Sequence, residues 1–150
     1  MSGYLLDTNV ISMLSPSATA ANGPFLEWLE RMDGAGQVFL SVVTVHEIEK
    51  GISLLEHKGA SAKAAGLKVW LSGLIATYDD KILPLDTQAA AIAGQLEAKA
   101  IVAGHDPGMA DAAVAGIAKT SNLVVVTRKP KDFARYEIAF TSPDDAAAMA

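Results

Sequence analysis

Short apolar runs alternate along this chain with longer segments whose apolar residues recur every three or four positions. The runs are rich in branched side chains, as in Val38 to Val43 and Leu123 to Val126. The longer segments carry stripes at helical spacing, such as Leu67, Trp70 and Leu74. Strands that alternate with helices indicate a mainly parallel sheet covered by helices. We therefore expect an α/β fold, a three-layer sandwich with a central sheet of about five strands.

Five segments are predicted as the strands of this sheet. They are Tyr4 to Leu6, Val38 to Val43, Lys81 to Leu85, Leu123 to Val126 and Tyr136 to Phe140. The chain has 150 residues, no internal repeat and no linker, so we expect residues 1–150 to form a single domain. The segment after about residue 141 is acidic and Ala-rich, and we expect a loose C-terminal tail or a short helix there.

Composition and charge exclude several classes of protein. The chain has no cysteine, so it carries neither a disulfide framework nor a thiolate metal site. No apolar run is long enough to span a membrane and no signal peptide is recognisable, so we expect a soluble, cytoplasmic protein. The net charge of −5 argues against a protein that binds nucleic acid through its phosphates alone. It is compatible with a nuclease whose acidic site meets phosphate through a cation.

Acidic residues recur at positions that follow or flank the predicted strands. Asp7 directly follows the first strand, and Glu47 lies in the first turn of a helix that we expect to begin at Thr44. Asp111 lies near the start of the helix that leads into the Leu123 to Val126 strand. Parallel sheets bind ligands outside the carboxyl ends of their strands. Carboxylates gathered there would repel one another unless a cation neutralised them, and hard oxygen ligands suit Mg²⁺ or Mn²⁺.

Each of these acids also has a purely structural interpretation. Asp7 begins an Asp-Thr-Asn sequence that is typical of turns and helix caps. Glu47 lies three residues after Thr44, which is the spacing of a capping box. Asp111 shares a helix face with Val114 and therefore points toward the apolar side, where an unpaired carboxylate is costly. That cost favours a partner for Asp111.

Two more polar residues follow the fourth predicted strand. Thr127 ends that strand, and Asp132 lies five residues further along the chain. Asp132 is flanked by Lys131 and Phe133 and is typical of a loop acid. The three histidines show no metal-ligand spacing, and we assign them to the surface or to loops.

Four segments, in order, resemble the motifs of PIN-domain proteins, in particular the VapC-type toxins. Leu5 to Ser12 resembles the opening motif, and Ser41 to Gly51 resembles the second, in which Glu47 would be the acidic ligand. Asp111 to Ala118 resembles the third motif, and Val126 to Phe133 resembles the fourth. The resemblance runs over nearly the whole chain and implies a PIN-like fold.

By this resemblance, the chain would be a metal-dependent endoribonuclease toxin that cleaves RNA of the translation machinery. Asp7, Glu47 and Asp111 would hold Mg²⁺ or Mn²⁺, and Asp132 is a weaker candidate ligand. Thr127 would add a hydroxyl contact to the ion's shell or to the substrate phosphate. The resemblance further implies a homodimer and a cognate VapB-type antitoxin that places a basic side chain in the acidic site.

One position departs from the family pattern. Lys129 occupies the place where these relatives usually carry Asn or Asp beside the metal. Its side chain could pair with the carboxylates, bind a substrate phosphate or point away from the site.

Two other functions are open alternatives. A domain that has lost a ligand at Lys129 could be a catalytically silent binding or regulatory module. Asp7 could instead be the aspartyl nucleophile of a phosphatase of the haloacid-dehalogenase type. The motif of those enzymes has a second Asp two residues further on, where this chain has Asn9.

Overall fold

One parallel sheet of five strands lies at the centre of the computed structural model, which describes residues 3–16, 18 and 23–149. The strands are β1 (Tyr4–Leu6), β2 (Val38–Ser41), β3 (Ile82–Leu83), β4 (Val124–Val126) and β5 (Phe140–Thr141). Their order across the sheet is β3-β2-β1-β4-β5, and every neighbouring pair is parallel. The central position of β1 places the residue that follows it, Asp7, at the middle of the carboxyl edge.

Helices connect the strands and cover both faces of the sheet. They are α1 (Thr8–Ile11), α2 (Gly23–Gly34), α3 (Val42–His57), α4 (Ser61–Tyr78), α5 (Thr87–Val102), α6 (Met109–Thr120), α7 (Pro130–Ala134) and α8 (Pro143–Ala148). Short 3₁₀ turns follow α1 and α4. Within the described part of the chain, no helix is both long and apolar enough to cross a membrane.

Alternate side chains of the strands enter two hydrophobic cores, one on each face of the sheet. Leu5 and Val125 pack with residues of α5 and α6, whereas Leu6 and Val126 pack with residues of α1 and α2. All four side chains are buried, and burying a side chain of this size contributes about 1.5–3 kcal/mol. The predicted three-layer sandwich with a parallel sheet is therefore confirmed.

The boundary between β2 and α3 differs from the prediction. Val42 and Val43 belong to the helix, and Ser41 is its N-cap residue. A buried first helical turn is as apolar as a buried strand, so the apolar run does not reveal where the strand ends. Thr44 is therefore not a cap residue, and the capping box expected between Thr44 and Glu47 is wrong. Glu47 lies in the second turn of α3, not in the first.

The two edge strands are shorter than predicted. The segment expected as a strand from Lys81 to Leu85 pairs only at Ile82–Leu83, because Lys81 ends a 3₁₀ turn. The segment expected from Tyr136 begins as a strand only at Phe140. Tyr136 and Glu137 lie in a turn, and the φ of 54° at Glu137 is incompatible with a strand there.

The segment after residue 141 forms α8 rather than a loose tail. The Ser142 side chain caps this helix by accepting a hydrogen bond from the backbone N–H of Asp145 at 3.1 Å. Ala146 is fully buried in the same core as Phe25 and Trp28 of α2. The segment therefore forms the short helix that was the alternative expectation. This helix packs against α2 on one face of the sheet.

Candidate active site

A polar pocket of about 220 Å³ opens at the carboxyl edge of the sheet, beside the ends of β1 and β4. Three acids predicted as metal ligands, Asp7, Glu47 and Asp111, share this pocket. The other lining residues are Thr8, Asn9, Ser12 and Lys129. The pocket gathers residues from β1–α1, α3, α6 and the β4–α7 connection, which are far apart in sequence.

Asp7 is buried at the floor of the pocket and caps α1. Its Oδ1 accepts a hydrogen bond from the backbone N–H of Thr8 at 2.9 Å. Its Oδ2 accepts from the Thr127 hydroxyl at 2.9 Å and from the Asn9 side-chain amide at 3.1 Å. Burial raises the pKa of Asp7, while the hydrogen bonds from Thr127 and Thr8 oppose that rise. The cap interpretation is therefore correct, and the same carboxylate also lines the pocket.

Glu47 is tied to α1 by the side chain of Thr8. The Thr8 hydroxyl donates a hydrogen bond to Glu47 Oε1 and lies 2.9 Å from the hydroxyl oxygen of Thr44. Thr44 is fully buried, so this contact fixes the first turns of α1 and α3 to each other. Glu47 thereby keeps a defined position opposite Asp7.

Asp111 lies in the first turn of α6 and is half-buried. Its pKa is raised to about 6, first by burial and then by the negative charges of Asp7, Asp132 and Glu47. The positive charge of Lys129 acts in the opposite direction. The carboxylates thus repel one another across the pocket, as expected for a site that attracts cations.

Thr127 orients the Asp7 carboxylate through a buried hydrogen bond. It is fully buried, and its hydroxyl donates to Asp7 while accepting from Asn9 at 3.3 Å and from the Lys129 backbone N–H at 3.0 Å. Because the hydroxyl is committed to these partners, the geometry makes Thr127 a positioning residue for Asp7. Its direct contact with an ion or a phosphate stays a prediction.

Asp132 lies beside the pocket, not in its lining. One of its oxygens is 3.5 Å from the guanidinium of Arg135, which directly follows α7. Its charge still contributes to the raised pKa of Asp111. Its role as a ligand stays a prediction that this geometry does not favour.

Thr8 and Asn9 also line the pocket, although the Asp-Thr-Asn sequence predicts only a turn or a helix cap. The Asn9 side chain donates to Asp7 and Thr127, and its carbonyl oxygen accepts from the backbone N–H of Arg128 at 3.0 Å. Asn9 therefore joins the end of β1 to the end of β4. In the sequence, the only sign of this role is that Thr8 and Asn9 directly follow Asp7. The partners of their side chains become visible only in the fold.

The donor set suits a divalent cation. Among the described residues, no three carboxylate or imidazole groups lie close enough together to enclose a bare ion. Mg²⁺ usually keeps several waters and binds through one or two carboxylates, so a hydrated ion needs no such enclosure. Three mutually repelling carboxylates around an open polar pocket therefore fit a hydrated Mg²⁺ or Mn²⁺.

Known proteins resemble this chain in both sequence and fold. A family model described as the PIN domain matches residues 4–139. Toxin FitB of Neisseria gonorrhoeae is 32% identical over 139 residues, which cover 93% of this chain and 96% of that protein. The crystal structure of FitAcB from Neisseria gonorrhoeae matches with a TM-score of 0.79 and 33% identity, covering 93% of this chain and 97% of that chain. DNA-bound VapBC from Salmonella typhimurium matches with a TM-score of 0.77 and 26% identity, covering 95% and 99%.

Proposed function

The chain belongs to the PIN-domain family, and on that basis we propose that it is a metal-dependent endoribonuclease toxin. The observation that carries the proposal is the convergence of Asp7, Glu47 and Asp111 on one polar pocket at the carboxyl edge of the sheet. The substrate class is RNA, and the proposed targets are RNAs of the translation machinery.

The proposed catalytic arrangement assigns a separate task to each part of the pocket. Asp7, Glu47 and Asp111 hold Mg²⁺ or Mn²⁺, directly or through water. The ion, when bound, activates water and stabilises the negative charge that develops on a phosphate. Thr127 and Asn9 keep the Asp7 carboxylate oriented, because they donate to the same oxygen. Together these contacts keep the ligands ready before the substrate arrives.

A cognate antitoxin is the proposed protein partner. The similarity to FitAcB and to VapBC supports such a partner, because VapBC proteins are toxin–antitoxin systems. An acidic pocket would accept a basic side chain from an antitoxin at the place where the ion binds. We extend the proposal to a homodimer and to a cytoplasmic location, both of which are typical of VapC-type toxins.

The phosphatase alternative has no support from the site or from the family. The amide of Asn9 donates to Asp7, and Asn9 stands where those phosphatases have their second Asp, two residues after the nucleophile.

The silent module is tested directly, by incubating the purified chain with a loop-containing RNA in Mg²⁺ and mapping the cleaved ends. Cleavage that a chelator stops supports the ribonuclease, and an intact RNA supports the silent module.

A further inference from the structure

Lys129 brings a positive charge to an otherwise acidic pocket. It is exposed, follows Thr127 by two residues, and lines the pocket together with Asp7, Glu47 and Asp111. Its positive charge partly opposes the rise in the pKa of both Asp7 and Asp111. Lys129 therefore belongs to the lining of the pocket, which argues against a side chain that points away from the site.

The backbone at Lys129 is held firmly although its side chain is exposed. Its N–H donates to the Thr127 hydroxyl at 3.0 Å, and its carbonyl accepts from the N–H of Asp132 at 3.0 Å. Pro130 follows at the start of α7 and restricts the backbone further. The base of the side chain is thus fixed at the rim of the pocket, while the ammonium keeps the freedom of a long stem.

The Lys129 ammonium makes no ion pair or side-chain hydrogen bond with any residue that the structure describes. It faces three carboxylates across the pocket without contacting them. A cation held by those carboxylates would offset most of their attraction for the ammonium. An incoming anion would then be the strongest available partner for Lys129.

We propose that Lys129 binds a non-bridging oxygen of a substrate phosphate and so acts as an RNA-binding residue of the pocket. The inference rests on the proposed ribonuclease function and adds a substrate contact to it. An ammonium cannot ligate a cation, so Lys129 would contact the anionic groups of the substrate rather than the ion. The alternative is that Lys129 only replaces part of the cation's charge and competes with it.

The test compares RNA affinity and metal affinity in wild type and in Lys129→Gln. The probe is a short fluorescein-labelled single-stranded RNA, titrated by anisotropy with Ca²⁺ in place of Mg²⁺ to slow cleavage. We expect the substitution to weaken RNA binding by about tenfold, the effect of one charge-assisted hydrogen bond. The slope of log affinity against log salt should fall by about 0.7, the value for one phosphate contact on a single strand. Mg²⁺ affinity, measured by calorimetry without RNA, should be unchanged. Tighter Mg²⁺ binding with unchanged RNA affinity would overturn the inference in favour of competition with the cation.

Two variants serve as controls. Lys129→Arg keeps the charge and should keep the salt slope. Lys119→Gln removes the same charge from the exposed end of α6, remote from the pocket, and should bind RNA as wild type does.

The outcomes separate this inference from the function on which it rests. Wild type that cleaves RNA in Mg²⁺, together with a Lys129→Gln variant of unchanged RNA affinity and salt slope, overturns only the inference. An equal loss of affinity in Lys119→Gln overturns it as well, because the effect would then be one of net charge. A wild type that neither binds nor cleaves RNA overturns the proposed function and the inference together.

Discussion

At the scale of single residues, the pocket depends on hydroxyl and amide groups that hold its carboxylates in place. Asp7 accepts hydrogen bonds from Thr127, Asn9 and the backbone of Thr8, and Glu47 accepts one from the Thr8 hydroxyl. The acids themselves could be predicted from the sequence, because they follow or flank the predicted strands. Their partners could not, because hydroxyl and amide groups beside an Asp are equally typical of an ordinary turn.

Thr8 offers a direct test of this support. Thr8→Val removes the hydroxyl that joins Glu47 to Thr44 but keeps the shape of the side chain. We expect the Mg²⁺ concentration for half-maximal cleavage to rise about tenfold, as for loss of a group that orients a metal ligand. Thr8→Ser keeps the hydroxyl and should behave as wild type. An unchanged Mg²⁺ dependence in Thr8→Val, with an unchanged Tm, would show that the contact does not position Glu47.

Asp111 gives the site a dependence of stability on pH. Its pKa is about 6 in the folded chain and 3.8 in the reference state, so the folded chain binds more protons between these values. The free energy of unfolding therefore falls as pH rises through this window. Asp111→Asn removes this fall in the free energy of unfolding. Without metal, the substitution should stabilise the chain near neutral pH by about 1 kcal/mol, a value reduced because solvent screens the half-exposed carboxylate.

The measurement is urea denaturation of wild type and Asp111→Asn in a chelator across this range of pH. The stabilisation should shrink toward zero as the pH falls below about 3, where the carboxyl is protonated in both states. A difference between the two proteins that does not vary with pH would assign the effect to packing rather than to charge.

At the scale of elements, the order and kind of the strands and helices followed from periodicity, whereas their ends did not. The apolar run from Val38 to Val43 spans the end of β2 and the start of α3, and both are buried. Periodicity cannot separate two buried elements within so short a run. At β5 the error had another cause, because Tyr136 is buried in a turn and not in a strand.

The packing of α6 on α5 places Asp111 in the pocket, and Gly116 makes that packing possible. A Cβ at Gly116 would lie 2.6 Å from the Ala89 carbonyl oxygen and 2.8 Å from the Ala93 Cβ. Gly116→Ala should therefore push the helices apart and lower the free energy of unfolding by about 2 kcal/mol.

Gly94 provides the matched control on α5. A Cβ there meets no atom within 4 Å, so Gly94→Ala should stabilise the helix by about 0.5–1 kcal/mol. Urea denaturation of both variants measures the difference. Equal stabilisation by the two substitutions would mean that the helices are not in close contact at Gly116.

At the scale of the whole molecule, an acidic chain is proposed to act on an acidic polymer. The net charge of −5 gives no general attraction for RNA, so binding must rely on a cation at the carboxylates and on the few basic side chains near the pocket. The composition gives the net negative charge, but it could not show which carboxylates lie close together in the fold. Only the parallel order of the sheet brings Asp7, Glu47 and Asp111 to one edge.

The most direct test of the proposed function is RNA cleavage by purified wild type and Asp7→Asn in Mg²⁺, with a chelator as control. The folding of Asp7→Asn is checked by its Tm, which should change little. The substitution removes the carboxylate oxygen that accepts from Thr127, but it also removes the cost of burying a negative charge. We expect wild type to cleave, the chelator to stop it, and Asp7→Asn to lose activity by about 100-fold or more. Equal cleavage by both proteins, or cleavage that persists in the chelator, would contradict a metal-dependent ribonuclease centred on Asp7.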